Sequence, residues 1–124
     1  MDIYKLHVDA LVKFQNPETG FWRNVLDKKE SKDETSGTAI FTMAIAKGVN
    51  EKWLNRTYYK NSAVKGWNAL QTVIKNDGTA HGTVVGTNVS LDVNFYYNRP
   101  LADNDTHVLF PIIFAGIKMS KMLK

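Results

Sequence analysis

Hydrophobic residues recur along much of this chain at the three- and four-residue spacing of α-helices. Residues 2–14 form one such stretch, and residues 58–75 form a second in which polar positions occupy the opposite side. This spacing predicts two amphipathic helices, each with one buried and one solvated face. The predicted buried face of the first comprises Ile3, Leu6, Ala10 and Phe14. The predicted buried face of the second comprises Tyr59, Ala63, Trp67, Leu70, Val73 and Ile74.

A third stretch, residues 34–47, is apolar or small at nearly every position. Ser31 and Glu34 have the S-x-x-E spacing of a capping box, so we predict that they fix the start of a helix. Gly48 stands where a left-handed C-cap would end it. A helix without a polar face is usually buried on all sides, and we expect this one to lie inside the molecule.

The last helix is expected to follow a cap at Asp105 or Thr106 and to become basic towards its end, as the helix dipole favours. Its mostly apolar positions include Leu109, Ile112, Ile113, Gly116, Met119 and Leu123. Between the second and last helices, residues 77–106 are rich in Gly, Thr, Val and Asn. We predict a long loop there that holds a short two-stranded β-ribbon. In the link 49–57, Trp53 and Leu54 are expected to form a helical turn.

The order of these elements predicts four helices that alternate in direction. The two long loops, 15–32 and 77–106, each precede a strongly apolar helix, so they should lie at the same end of the bundle. The fold is therefore predicted to be all-α, with residues 1–124 as one domain. Periodicity alone indicates a helical bundle and specifies no particular family of bundles.

Composition narrows the possible partners and compartments. The formal charge is +4, and Lys and Arg are scattered among Asp and Glu, so neither nucleic acid nor a membrane surface is indicated as a partner. The chain has no cysteine, which removes disulfides and thiolate metal ligands. No stretch approaches the roughly 20 apolar residues of a membrane span. The N-terminus lacks a signal-peptide pattern, so we expect a cytoplasmic protein, unless an export signal has been removed from its front.

Candidate chemistry begins after the turn at residues 16–20, where Trp22 and Arg23 follow Phe21. An aromatic ring can stack on a sugar ring, and a guanidinium can pair with a uronic carboxylate in bidentate fashion. A carbohydrate site is one interpretation. The other is that Phe21 and Trp22 plug the end of a helical bundle, since most aromatic side chains are buried.

The second long loop ends in a polar run, residues 103–107, with the sequence D-N-D-T-H. Asp103, Asp105 and His107 could ligate a metal, but no distant cluster of His or Cys completes such a site, and the run can equally cap a helix. Two carboxylates flanking a glycosidic bond would permit acid-base hydrolysis, although adjacency in sequence does not establish that geometry. We expect neither a metal nor another cofactor.

Two segments in sequence resemble a known family. FQNPETGFWRNVLD, followed by ETSGTAIFTMAIAKGVNEKWL, is similar to a "Q-D-P-x-T-G-x-W" loop that leads to an "E-x-S-x-T-A-x-F" inner helix ending in "A-K-G". The later YYNRPLADNDTH resembles "Y-Y-x-x-x-P-x-x-N-D-x-H-G-x-G-P". Both motifs are typical of the bacterial hydrolases of unsaturated glucuronyl and rhamnogalacturonyl oligosaccharides, glycoside hydrolase families 88 and 105. The resemblance implies about two hairpins of a six-hairpin alpha/alpha barrel, from the last third of a family member.

The resemblance also implies a substrate and a reaction. The family hydrates the C4=C5 double bond of an unsaturated uronic acid, with one aspartate as general acid and base. That aspartate and a W-x-R-G-N-G-W segment lie in the first half of the barrel, and neither is found here, so we expect the isolated chain to be inactive and assign no catalytic residue. The expected substrate-binding residues are Trp22, Arg23, Glu34, Arg99, Asn104, Asp105 and His107.

The chain departs from the family pattern at residues 108–110, where bulky residues stand in place of glycines and would narrow any sugar pocket. A slice of a barrel would also leave apolar helix faces in water, so we expect a homo-oligomer that covers them. The alternatives are a module that binds acidic carbohydrate and a purely structural oligomeric helical module.

Overall fold

A computed structural model describes residues 2–124 of the chain. Its helices are α1 (Asp2–Phe14), α2 (Thr35–Asn50), α3 (Arg56–Val73), α4 (Val93–Tyr97) and α5 (Leu109–Leu123). Its strands are β1 (Trp22–Arg23), β2 (Asp33–Glu34), β3 (Thr83–Val84) and β4 (Leu101–Ala102). Helix α2 packs against α5, α3 and α1, so it forms the centre of the bundle. The predicted helical fold is confirmed.

The start of α2 differs from the prediction. Glu34 itself is the N-cap, and its carboxylate accepts hydrogen bonds from Ser36 N at 3.0 Å and Gly37 N at 2.5 Å. Ser31 does not cap the helix, because its hydroxyl accepts from Val25 N at 2.9 Å and stabilises the preceding loop. The capping box predicted at Ser31 and Glu34 is therefore wrong, although Glu34 does stabilise the helix start.

The end of α2 also lies later than predicted. Gly48 remains helical and the helix runs to Asn50, whereas Lys52 adopts the left-handed conformation with φ 60°. The carbonyl of Gly48 accepts from Trp53 N at 2.9 Å and Leu54 N at 3.1 Å. A Cβ at Gly48 would lie 2.7 Å from Leu54 Cδ1. Glycine is needed there for close packing rather than for the predicted C-cap.

Helix α1 covers the predicted residues but turns a different face inwards. Val8 and Leu11 are buried, whereas Ile3 is 85% and Leu6 68% exposed. Tyr4, on the same face as Val8 and Leu11, donates its hydroxyl to Ala44 O of α2 at 2.7 Å. The predicted buried face was wrong because this chain carries two apolar helical stripes on α1, and tertiary contacts select the other one.

Helix α3 begins at Arg56, two residues earlier than predicted and inside the predicted link 49–57, with Asn55 as N-cap accepting from Tyr58 N at 3.1 Å. Its buried face includes the predicted Tyr59, Ala63 and Leu70. The predicted helical turn at Trp53 and Leu54 is absent from the described residues 2–124, where residues 51–55 form turns.

The predicted β-ribbon in the second long loop is confirmed. β3 and β4 pair antiparallel, with Thr83 opposite Ala102 and Val84 opposite Leu101. Between them the loop forms the short helix α4, capped by Asp92, whose carboxylate accepts from Asn94 N at 2.9 Å. Neither α4 nor the β1–β2 pair was predicted.

Helix α5 starts later than expected, at Leu109, and has no side-chain cap. The cap predicted at Asp105 or Thr106 is wrong, because Asp105 instead closes the preceding turn through its carbonyl, which accepts from Val108 N at 3.0 Å. The buried side of α5 comprises Pro111, Ala115, Met119 and Met122.

The apolar surface of the bundle is only partly covered. Along α5, Phe110, Ile113, Phe114 and Ile117 form one exposed face, and we call these four residues the α5 face. Ile40 of α2 is also exposed, so the expectation that α2 is buried on all sides is wrong. Within residues 2–124, no helix combines the length and the apolarity that crossing a bilayer requires.

Candidate functional site

The two long loops meet at one end of the bundle, as predicted. Glu34 accepts from Val84 N of the second loop at 3.2 Å, and Thr35 N donates to Gly82 O at 3.1 Å. Asn24 Nδ2 of the first loop donates to Tyr96 O of α4 at 2.8 Å. We refer to this end as the loop end.

Glu34 is buried at the loop end, and hydrogen bonds from the protein occupy its carboxylate. Its side chain is buried, and its two oxygens accept from Ser36, Gly37 and Val84 backbone amides. Ser36 Oγ adds a further hydrogen bond at 2.8 Å. With four donors on one carboxylate, Glu34 holds α2 and the β3 strand together.

Trp22 lies in the core. Its ring is 1% exposed, its Nε1 donates to Leu11 O at 2.7 Å, and it meets Phe41 edge to face at a centroid distance of 5.6 Å. This matches the interpretation in which the aromatic pair plugs the bundle. The ring of Trp22 is therefore not available for stacking on a sugar at the surface of this chain.

Arg23 lies on the other side of β1 from Trp22, as the alternation of side chains along a strand requires. It lines a cleft of ≈ 350 Å³ between the end of α1 and the first loop. Two lysines, Lys13 and Lys29, and the half-exposed ring of Phe14 share this cleft. Glu18 and Asp27 also line it, so the cleft carries three cations and two anions. The sequence does not indicate that Lys13 and Lys29 lie near Arg23, because these residues come together only when α1 packs against the first loop.

Arg99 belongs to the second loop and is held by it. Its guanidinium lies 5.1 Å from the centre of the Phe95 ring and donates to Gly86 O. Asn104 has φ 51°, an uncommon conformation that asparagine tolerates. Its backbone N donates to Ala80 O at 2.9 Å, and its side-chain Oδ1 accepts from Ala80 N at 2.8 Å. Asn104 thus closes the base of the loop.

The end of the second loop contains two His–Asp pairs. Asp105 Oδ1 lies 2.5 Å from His107 Nδ1, and Asp103 Oδ1 lies 2.6 Å from His81 Nδ1. His81 was missed because it precedes Asp103 by more than twenty positions and has no motif of its own. Among residues 2–124, no three or more His, Asp or Glu side chains are grouped closely enough to hold a metal ion. In the same range, no hydrogen bond or ion pair joins Arg23 to Arg99, Asn104, Asp105 or His107.

Away from the loop end, Lys5, Asp9 and Tyr59 form a charged network between α1 and α3. Lys5 Nζ lies 2.7 Å from Asp9 Oδ2, and the Tyr59 hydroxyl donates to Asp9 Oδ1. The hydrogen bond with Asp9 raises the pKa of Lys5 to about 12. The pKa of Asp9 is lowered, first by Lys5 and then by Tyr59. Burial is the main cause that raises the pKa of Tyr59.

Comparison with known proteins relates this fold to carbohydrate-active enzymes. The family model described as Glycosyl Hydrolase Family 88 matches residues 1–123. An unsaturated 3S-rhamnoglycuronyl hydrolase from Alteromonas sp. (strain LOR) is 34% identical over 80 residues, which are 63% of this chain and 19% of the relative. The enzyme of the same name from Formosa agariphila is 34% identical over 79 residues, 62% of this chain and 21% of the relative. The chain thus spans about a fifth of these curated relatives.

Solved structures share the same helical arrangement. A possible member of glycoside hydrolase family 105 from Salmonella enterica serovar Paratyphi A superposes with a TM-score of 0.86 at 27% identity, covering 94% of this chain and 30% of that one. A family 88 glycosyl hydrolase from Bacteroides vulgatus gives a TM-score of 0.79 at 25% identity, covering 95% and 34%. The fold is therefore part of the alpha/alpha barrel of these enzymes, and the chain belongs to glycosyl hydrolase family 88.

Proposed function

We propose that residues 1–124 form one glycosyl-hydrolase-like domain that binds an acidic saccharide at its loop end and does not hydrolyse it alone. The family match over residues 1–123 supports the carbohydrate class. The names of the curated relatives, unsaturated 3S-rhamnoglycuronyl hydrolases, suggest a saccharide that ends in an unsaturated uronic acid. The observation that carries the proposal is the position of Arg23 in a cleft with two lysines.

The chemistry of the Arg23 cleft suits such a ligand. A guanidinium binds a carboxylate through two parallel hydrogen bonds, and Lys13 and Lys29 add positive charge that would also attract a sulfate group. The exposed part of the Phe14 ring provides an apolar surface for a sugar ring. Glu18 and Asp27 at the same cleft can accept hydrogen bonds from sugar hydroxyl groups.

The proposed lack of turnover rests on the acids at the loop end. General acid catalysis needs a proton donor within hydrogen-bond reach of the reacting group. Glu34 is buried under four hydrogen-bond donors, and Asp103 and Asp105 are each paired with a histidine. The chain spans 30% of the Salmonella structure.

In this proposal, most of the other predicted binding residues stabilise the two long loops and do not contact the saccharide. Trp22 and Glu34 support β1, β2 and the start of α2 from inside the fold. On the second loop, Arg99 and Asn104 hold the ribbon and its base, while Asp105 and His107 pair with each other and are partly exposed to solvent.

A calorimetric titration with an unsaturated rhamnoglycuronyl disaccharide tests the binding proposal. We expect Arg23→Ala to weaken binding by about tenfold, which corresponds to the loss of one charge-assisted hydrogen-bonded pair. Lys28→Ala is the matched control, since Lys28 belongs to the same loop and does not line the cleft. Equal affinities for the wild type and Arg23→Ala would contradict a site at this cleft and favour a purely structural module.

We also propose that a second copy of the chain covers the α5 face. Its four residues have the i, i+3, i+4, i+7 spacing of a helix–helix contact. Lys118, Lys121 and Lys124 lie at one end of α5, and Asp103 and Asp105 precede the other. An antiparallel pair of α5 helices would therefore bury the apolar stripe and bring opposite charges together at both ends.

Sedimentation velocity tests this contact. We expect a concentration-dependent dimer for the wild type and a monomer for Ile113→Glu, because a charge at the centre of the stripe cannot be buried without a partner. Gln71→Glu, exposed on α3 and outside the α5 face, should leave the dimer intact. A monomeric wild type at high concentration would contradict the proposal, as would a dimer unaffected by Ile113→Glu.

A further inference from the structure

We infer that the connection between α2 and α3 forms a second binding site, specific for an anionic saccharide, at the end of the bundle opposite the loop end. A cavity of ≈ 700 Å³ lies there, twice the volume of the Arg23 cleft. Its size falls in the range of small-molecule sites. Its lining includes Lys52, Trp53, Leu54, Arg56 and Lys121.

Trp53 is the aromatic surface of this site. It is 45% exposed, although its neighbour Leu54 is buried. The rings of Tyr4 and Trp53 pack edge to face at a centroid distance of 5.8 Å. Lys47, which does not line the cavity, places its Nζ over the Trp53 ring, 5.4 Å from the ring centre. An indole that is supported from inside and half open to water provides a ring on which a sugar can stack.

The backbone holds Trp53 in this position. Trp53 N and Leu54 N both donate to Gly48 O, and Lys52 before them adopts φ 60°. A left-handed conformation at a lysine is uncommon, and such residues concentrate at functional sites. The turn sends Leu54 into the core and leaves Trp53 at the edge of the cavity.

The charges around Trp53 are almost all positive. Lys52, Arg56 and Lys121 line the cavity, and none of its lining residues is acidic. Arg56 Nη2 donates to Met122 O at 2.6 Å, which fixes the guanidinium and leaves its other donors for a ligand. Glu51 lies 3.7 Å from Lys121, but both side chains are well exposed, so this pair is weak.

This combination selects an anionic saccharide. One aromatic ring with cations on its flanks matches a sugar that carries a carboxylate or a sulfate, whereas single-stranded nucleic acid is usually bound along several stacked rings in a groove. The inference is independent of the Arg23 cleft, because the two sites share no lining residue.

Nuclear magnetic resonance of the full chain provides the test, with the indole N–H of Trp53 assigned through Trp53→Phe. We expect trigalacturonic acid to shift this resonance, with salt-dependent affinity, and neutral maltotriose to have little effect. Trp53→Ala should weaken the binding measured at the assigned Lys47 amide by about tenfold, in line with the loss of one stacked ring. Lys52→Asn should also weaken it without unfolding the chain, since asparagine tolerates the left-handed conformation.

Controls separate this site from the loop end. Arg23→Ala should leave the Trp53 shift unchanged, and Trp53→Ala should leave binding at the Arg23 cleft unchanged. Three results would overturn the inference: no shift of Trp53 with trigalacturonic acid, equal shifts with maltotriose, or tighter binding of a short single-stranded oligonucleotide than of the acidic saccharide.

Discussion

The carboxylate of Glu34 accepts a hydrogen bond from Val84 N at 3.2 Å and so ties the start of α2 to a strand of the second long loop. The same group caps α2 through Ser36 and Gly37. We expect Glu34→Gln to lower the free energy of unfolding by about 1–3 kcal/mol, because buried amide donors lose a charged acceptor. Urea unfolding measures this loss.

The control for Glu34 is Glu30→Gln, an exposed acid of the same loop. It should change the free energy of unfolding by less than about 0.5 kcal/mol. Hydrogen exchange adds a local readout, since the Val84 amide should exchange faster in Glu34→Gln even under conditions that keep the chain folded. Unchanged protection at Val84 would show that the loop is held by other contacts.

Trp22 is predicted to act in stability and not in binding. Trp22→Phe keeps most of the buried ring but leaves Leu11 O without the indole donor, which should cost about 1–3 kcal/mol of unfolding free energy. Affinity for an unsaturated rhamnoglycuronyl disaccharide should stay within about twofold of the wild type. A large loss of affinity in a stable Trp22→Phe variant would show that the ring does reach the ligand.

Gly66 lies where α3 packs tightly against Thr42 of α2. A Cβ there would clash with Thr42 Oγ1 and lie 3.0 Å from Trp22 Cζ3. Although alanine usually stabilises a helix interior, we expect Gly66→Ala to destabilise the chain by about 1–3 kcal/mol through overpacking. Gly86→Ala is the control, because no atom lies within 4 Å of the position that its added methyl carbon would take. In thermal unfolding, the change in midpoint temperature caused by Gly66→Ala should be opposite in sign to that caused by Gly86→Ala, or clearly larger.

The Lys5, Asp9 and Tyr59 network predicts a dependence of stability on pH. Because the folded state lowers the pKa of Asp9 below 3.8, the stabilisation is present above that value and is lost as the pH falls through the lowered pKa. For Tyr59 and Lys5 the folded-state pKa is raised, so their contributions are complete below 10.0 and 10.5 and are lost as the pH rises.

Asp9→Asn tests this network, because it removes the group that both partners contact. Its unfolding midpoint should vary less with pH at both the acidic and the alkaline extremes than that of the wild type. Glu30→Gln, remote from the network in sequence and exposed, should retain the wild-type pH profile. Identical profiles for Asp9→Asn and the wild type would contradict the assignment.

Local signals predicted most of the elements but not their contacts. The ribbon of Thr83 and Val84 follows from β-branched residues near glycine, and α1 follows from its periodicity. The buried side of α1 could not be chosen in this way, since Ile3 and Leu6 lie on one apolar stripe and Val8 and Leu11 on another. The hydrogen bond from Trp22 to Leu11 O, a tertiary contact, helps to select the second stripe.

In the candidate site, too, local signals identify single residues but not the residues that the fold brings next to them. Arg23 is predicted from the chemistry of a guanidinium that follows an aromatic pair. The strand β1, which was not predicted, places it on the opposite face from Trp22. Lys13 and Lys29 join it only through the fold, and the pairing of His81 with Asp103 likewise needs the second loop to close on itself. The capping pattern at Ser31 failed because the hydroxyl of Ser31 had a competing donor in Val25 N.

We propose that this family 88 chain holds an unsaturated uronyl saccharide but does not protonate its double bond. The most direct measurement follows the ultraviolet absorbance of the conjugated double bond in an unsaturated rhamnoglycuronyl disaccharide incubated with the folded chain. We predict no loss of absorbance above the rate without protein, at concentrations where calorimetry shows binding. Loss of absorbance that Asp103→Asn or Asp105→Asn abolishes would contradict the claim and identify a proton donor in the second loop.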